Sequence, residues 1–130
     1  MKESITSYRD LIVWQRAMDL ANLVYEMTGH FPAHERFGLS FQSRKAAVSI
    51  PSNIAEGSRH RTPGYLHRVV IALGEHAELE TQMLISERRG YVRQADRDAF
   101  WPLSTEVGKL AHGLHRSLEN QLPTRVIPTR

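Results

Sequence analysis

The chain has 130 residues, 41% of them hydrophobic and 24% charged, with a net charge of +3 and a pI near 9.6. That is one domain's length and an ordinary globular composition, and the absence of cysteine excludes disulfides, thiolate zinc sites and cysteine nucleophiles. The opening Met1-Lys2-Glu3-Ser4-Ile5-Thr6-Ser7 is too polar for a signal peptide, and no apolar run approaches the ~20 residues of a membrane span, so a cytoplasmic, bacterial-type protein is expected.

Asp10 can cap a first helix, 11–28, in which Leu11, Trp14, Met18, Ala21, Tyr25 and Thr28 recur by threes and fours. Gly29 and Pro32 stop it. The second helix is expected from near Glu35 to Gly57 or Ser58. Its buried stripe would be Ser40, Ser43, Ala47, Ile50 and Ile54, flanked by Phe37, Phe41 and Val48. Lys45, Ser49, Ser52, Glu56 and Arg59 share the opposite face. Inside this helix stands the most distinctive run of the chain, Ser49-Ile50-Pro51-Ser52-Asn53-Ile54-Ala55-Glu56-Gly57. Pro51 removes one backbone hydrogen bond and presses on the carbonyl of Ala47, a cost of roughly 3 kcal/mol. A kink whose freed carbonyl meets a hydroxyl, an amide or water would offset it.

Thr62-Pro63 marks the start of a third helix, ended by Gly90. Tyr65, Val69, Ala72, His76, Leu79 and Met83 form one row along it, and Leu66, Val70, Leu73, Ala77, Glu80 and Leu84 the adjacent row. Two such rows make a face wide enough for more than one partner. Asp96 or Asp98 can cap a fourth helix, with Pro102 near its first turn and Val107, Leu110, Ala111, Leu114 and Leu118 as its face. Residues 121–130 lack periodicity and read as a flexible tail to a domain spanning 1–120. No strand pattern competes, so the expected fold is all-α: an antiparallel up-down-up-down four-helix bundle with a Pro-kinked second helix.

Asp10-Leu11-Ile12-Val13-Trp14-Gln15-Arg16-Ala17, Phe31-Pro32, Glu35-Arg36-Phe37-Gly38-Leu39, Gln42 to Val48, Ser49 to Gly57, Ala72-Leu73-Gly74 and Glu78 to Gln82 together resemble the four-helix-bundle proteins encoded in 23S rRNA intervening sequences. The resemblance covers about 8–118. It implies a bundle that assembles into a homopentamer, and kinship with the accessory variability determinant of diversity-generating retroelements, a basic pentamer that binds nucleic acid. The chain departs from the family pattern at Glu75-His76, where a serine and an apolar residue are usual.

For chemistry, the basic side chains around the second helix and the turn after it come first: Arg44, Lys45, Arg59, Arg61 and Arg68, with His60 between. Arg59 to Arg61 form a local patch that Arg68 can join, whereas Arg44 lies near the other end of the helix. Their planar or point charges suit phosphate, and the competing reading is a solvated turn complementing a helix C-terminus. Arg88, Arg89 and Arg93 make a second basic corner. In the central run, Ser49, Pro51, Ser52, Asn53, Glu56 and Gly57 read as a structural motif. A hydrolase would need a base and an oxyanion hole beside a serine, and no histidine belongs to this stripe. Glu75, His76, Glu78 and Glu80, or His112 with His115, invite a metal, but there is no Glu-x-x-His motif. Trp14, Tyr25, Phe37 and Phe41 are expected in the core. The sequence thus points to a non-enzymatic homo-oligomer without cofactor or metal, binding RNA or DNA through basic patches. The alternative is a scaffold for a protein partner that touches no nucleic acid.

Overall fold

The computed structural model describes residues 7–123; of the tail expected over 121–130, Gln121 is still the last residue of a helix, and 124–130 lie outside the described residues. Four helices account for most of the chain: α1 (Ile12–Thr28), α2 (Leu39–Gly57), α3 (Thr62–Arg88) and α4 (Gln94–Gln121). Short 3₁₀ turns at Tyr8–Asp10 and Ala33–Glu35 precede α1 and α2. Contacts join α1 to α2, α2 to α3, α3 to α4 and α4 back to α1, with no contact across either diagonal among the described residues. The result is an all-α four-helix bundle closed on itself. Along α1 and α2, contact pairs step in opposite directions: Arg44 of α2 meets Thr28 of α1, while Ala55 shares a cavity wall with Trp14.

The core draws on one row from each helix. In α2 the expected stripe Ser40, Ser43, Ala47, Ile50 and Ile54 is buried throughout. In α3, Val69, Ala72, Leu79 and Met83 are buried, as are Val107, Ala111 and Leu118 in α4. Phe100 and Ser104 extend the α4 row toward its N-terminus. The α1 register differs from expectation. Val13, Ala17, Leu20, Val24 and Met27 point inward; of the expected row Ala21 and Thr28 are buried too, whereas Met18 and Tyr25 are exposed and Trp14 and Leu11 are half-buried. Two apolar rows compete on this helix, and α2 and α4 together close over only one.

Phe37, Phe41 and Val48 are exposed as well, so only Trp14 of the four aromatics expected inside packs against the core. Phe37 stands in the turn before α2 and is 81% exposed because α2 begins at Leu39, not at Glu35. Glu35 instead caps α2: its Oε1 accepts from the Leu39 N–H at 3.2 Å, and its Oε2 accepts from the Tyr91 hydroxyl at 3.1 Å. A Cβ on Gly38 would lie 2.5 Å from that Oε1, so the glycine leaves room for the cap. These two bonds, the backbone one foremost, hold the Glu35 carboxyl below its ordinary range.

α2 is helical straight through Pro51. The side chains expected to relieve the proline act one and two residues beyond Ala47. Ser52 Oγ donates to the Val48 carbonyl and Asn53 Nδ2 to the Ser49 carbonyl, both at 2.8 Å. A helical side chain reaches back three or four residues, and the positions that could serve Ala47 are Ile50, which has no polar atom, and Pro51 itself. α4 starts at Gln94, ahead of the expected Asp96 or Asp98, and carries Pro102 in its interior rather than its first turn. Pro102 and Asp98, whose carbonyl it leaves without a helical donor, are both exposed, so water can take that carbonyl. No described helix is long and apolar enough to cross a membrane.

Candidate nucleic-acid interface

The central run builds a latch between the end of α2 and the start of α3. Asn53 is buried, with its amide nitrogen on Ser49 and its oxygen accepting from Arg68 Nη1 at 3.4 Å. Arg68 Nη2 pairs with Glu56 at 3.1 Å. Gly57 ends the helix against α3, where a Cβ would fall 2.9 Å from both Arg68 Cβ and Tyr65 Cδ1. Burial of Tyr65 in this contact pushes its phenol up. Ser49, Pro51, Ser52, Asn53, Glu56 and Gly57 therefore shape the corner, and Arg68 braces it from α3.

Arg59, His60 and Arg61 occupy the turn that the latch holds, all exposed. No ion pair or hydrogen bond engages the Arg59 or Arg61 side chain among the described residues. Arg61 is the N-cap of α3, a 27-residue helix, with no side-chain hydrogen bond at that cap.

The other two predicted basic residues lie elsewhere. Arg44 is fourteen helical positions upstream of Ser58, about 21 Å at 1.5 Å per residue. It serves the C-terminus of α1: Nε donates to Thr28 Oγ1 at 2.8 Å, Nη2 to the Tyr25 carbonyl at 3.4 Å, and the guanidinium sits 4.7 Å from the Tyr25 ring centre. Lys45 is exposed beside Glu75 of α3. Glu75 is itself held above the usual carboxylate range, by partial burial first and by Glu78 second, with Lys45 opposing both. The five predicted residues thus separate into an open corner (Arg59, Arg61), a brace (Arg68) and a distant pair. In the second basic corner Arg93 pairs with Asp96 at 3.1 Å, and Arg89 packs near Tyr91 while Arg88 is exposed.

A polar cluster that sequence reasoning reached only in part ties α3 to α4. His76 Nε2 lies 2.8 Å from the Ser104 carbonyl and 2.9 Å from its hydroxyl, and that hydroxyl donates to Glu80 at 2.7 Å. A carbonyl only accepts, so Nε2 carries the proton and cannot also take one from the serine. With Ser104 fully buried, the cluster is a seam, not a nucleophile and base. Gly108 makes room for it, since a Cβ there would come 2.8 Å from His76 Cε1. At Glu75-His76, the histidine therefore makes a polar contact within the chain, while Glu75 lies outside the cluster beside Lys45. His76 and Glu80 share one helical row in the sequence, but only folding brings in Ser104. Among the described residues no group of three or more His, Asp or Glu side chains is placed to hold a metal.

The family model for the 23S rRNA-intervening sequence protein matches residues 9–113, from the turn before α1 into the last third of α4. Comparison with curated proteins gives no match. With three helices, most of the fourth and the latch of the central run inside the matched span, the chain belongs to the 23S rRNA-intervening sequence protein family.

Proposed function

We propose that this protein is a non-enzymatic, oligomeric helical scaffold that binds structured RNA or DNA through phosphate contacts at the α2–α3 corner. The observation that carries the reading is the exposure of Arg59 and Arg61 on a rigid turn at the head of α3, without carboxylate partners. Free guanidinium groups and helix N–H groups both favour phosphate oxygens, and neither reads bases. Pro51, on this reading, bends α2 and fixes the subunit shape. Repetition of the corner in an oligomer would turn a weak site into useful avidity.

The test is retention of a duplex RNA or heparin as salt is raised. Replacing Arg59 and Arg61 by glutamine should weaken binding at all sequences alike and lower the salt slope by roughly two per subunit. Arg68 stays unchanged in that variant because it braces the latch. Unaltered retention would refute the corner. The second reading, a scaffold for protein partners alone, is favoured by the apolar surface that α1, α2 and α3 leave uncovered. It predicts no salt-dependent retention at all.

A further inference from the structure

Two uncovered surfaces of the bundle differ in shape. Between α1 and α2, Trp14, Met18 and Tyr25 face Val48, Pro51 and Ala55 across a cavity of about 320 Å³. Tyr25 and Val48 also line an adjoining cavity of about 550 Å³ with Phe41 and Lys45, which makes one continuous trough. Tyr25 and Phe41 are 48% and 54% exposed. On α3, Val70, Gly74, Ala77, Thr81 and Leu84 form an exposed row spaced by fours and threes, a ridge with small residues at its middle. A Cβ on Gly74 would meet nothing within 4 Å. No contact within the chain accounts for a glycine at the centre of a long helix, where it costs about 1 kcal/mol relative to alanine.

We infer that the α3 ridge of one copy seats in the α1–α2 trough of the next, head to tail. The inference rests on the oligomeric part of the proposed function and names the faces that would carry it. The lengths agree: about 21 Å from Val70 to Leu84 on the ridge and about 21 Å from Phe41 to Ala55 along the α2 wall of the trough, at 1.5 Å per residue. Gly74 and Ala77 let a helix backbone come close between large side chains. Trp, Tyr, Phe and Met are the residue types enriched at interface centres. Charge matches in part: Arg44 and Lys45 both line the trough, with Glu75 of the same chain opposing Lys45, and exposed Glu78 stands one turn from Gly74 on the ridge. The trough opposed to another trough would set aromatics against aromatics, whereas ridge against trough is a heterologous contact in which every copy uses both faces.

Light scattering on the full chain tests it. Phe41→Glu spoils the trough, and Ala77→Arg spoils the ridge with bulk and a charge like that of Lys45. Gly74→Gln is a second ridge variant that favours the helix, and circular dichroism checks that all three fold. Wild type should be an oligomer and each variant a monomer. An equimolar mixture of Phe41→Glu with Ala77→Arg should give twice the monomer mass and nothing larger, since one intact trough and one intact ridge remain. An assembled wild type whose folded variants keep their mass overturns the assignment of faces and leaves oligomerisation standing. Dissociation by the trough variant alone, or by the ridge variants alone, overturns it in favour of a two-fold pairing. A monomeric wild type overturns the oligomeric reading itself and leaves the trough to a different protein.

Discussion

Gly57 shows how one missing side chain can set the distance between two helices. Arg68 Cβ is anchored to the α3 backbone, so a methyl placed 2.9 Å from it cannot be accommodated by a rotamer change. Gly57→Ala gains about 1 kcal/mol of helix propensity but overpacks a fixed contact, a penalty of about 1–3 kcal/mol. We expect a net loss in urea denaturation together with a weakened Arg68–Glu56 pair. Glu35 makes a different kind of prediction. Its carboxyl titrates below the ordinary 4.5, so its cap contributes fully at neutral pH and is lost as pH falls through the lowered value. Glu35→Gln should melt earlier than wild type at pH 7, and the gap should narrow as pH falls below 4.5; a gap constant with pH would refute the charged cap. Neither residue's role was legible beforehand. Glu35 read as the start of the helix it caps, and Gly57 as the end of a motif whose neighbour across the turn could not be named.

Helix existence and approximate bounds followed from periodicity and stop residues, and so did the buried row of α2 and α4 and the first of the two rows of α3; in the second α3 row Val70, Ala77 and Leu84 are exposed. α1 is the instructive failure. Leu11, Trp14, Met18, Ala21 and Tyr25 satisfy helical spacing as well as Val13, Ala17, Leu20, Val24 and Met27 do. Periodicity detects an apolar row but cannot tell which of two rows faces the chain's own core. Large aromatics tipped the reading the wrong way, since burial within the chain is only one reason for a helix to carry them. Prolines inside helices were ambiguous for a related reason. Pro102 is exposed and touches no latch, so Pro102→Ala should raise stability by about 1–3 kcal/mol through the restored hydrogen bond and propensity. Thermal unfolding measures this directly, and no gain would mean that α4 needs the proline for its course against α3.

Each seam of the bundle has its own polar fastening. Arg44 joins α1 to α2, and Arg68 joins α2 to α3. His76 with Ser104 joins α3 to α4, and Arg16 grips Glu106 of α4 with two hydrogen bonds at 2.9 and 3.1 Å. Three of the basic residues that composition offered to nucleic acid (Arg16, Arg44 and Arg68) are thereby engaged within the bundle, whereas Arg59 and Arg61 are exposed and have no ion pair or hydrogen bond among the described residues. At this scale the glutamine pair Arg59→Gln and Arg61→Gln should lower RNA retention without changing oligomer mass, while Phe41→Glu should do the reverse per subunit and lose avidity only through dissociation. By itself the amino-acid order determined four helices, their stops and a family-specific run, because hydrophobic spacing, capping and proline act over a few residues. Which apolar row turns inward, which arginines remain free and why glycines sit at 57 and 108 were decided by tertiary structure, since each depends on an atom contributed by another helix.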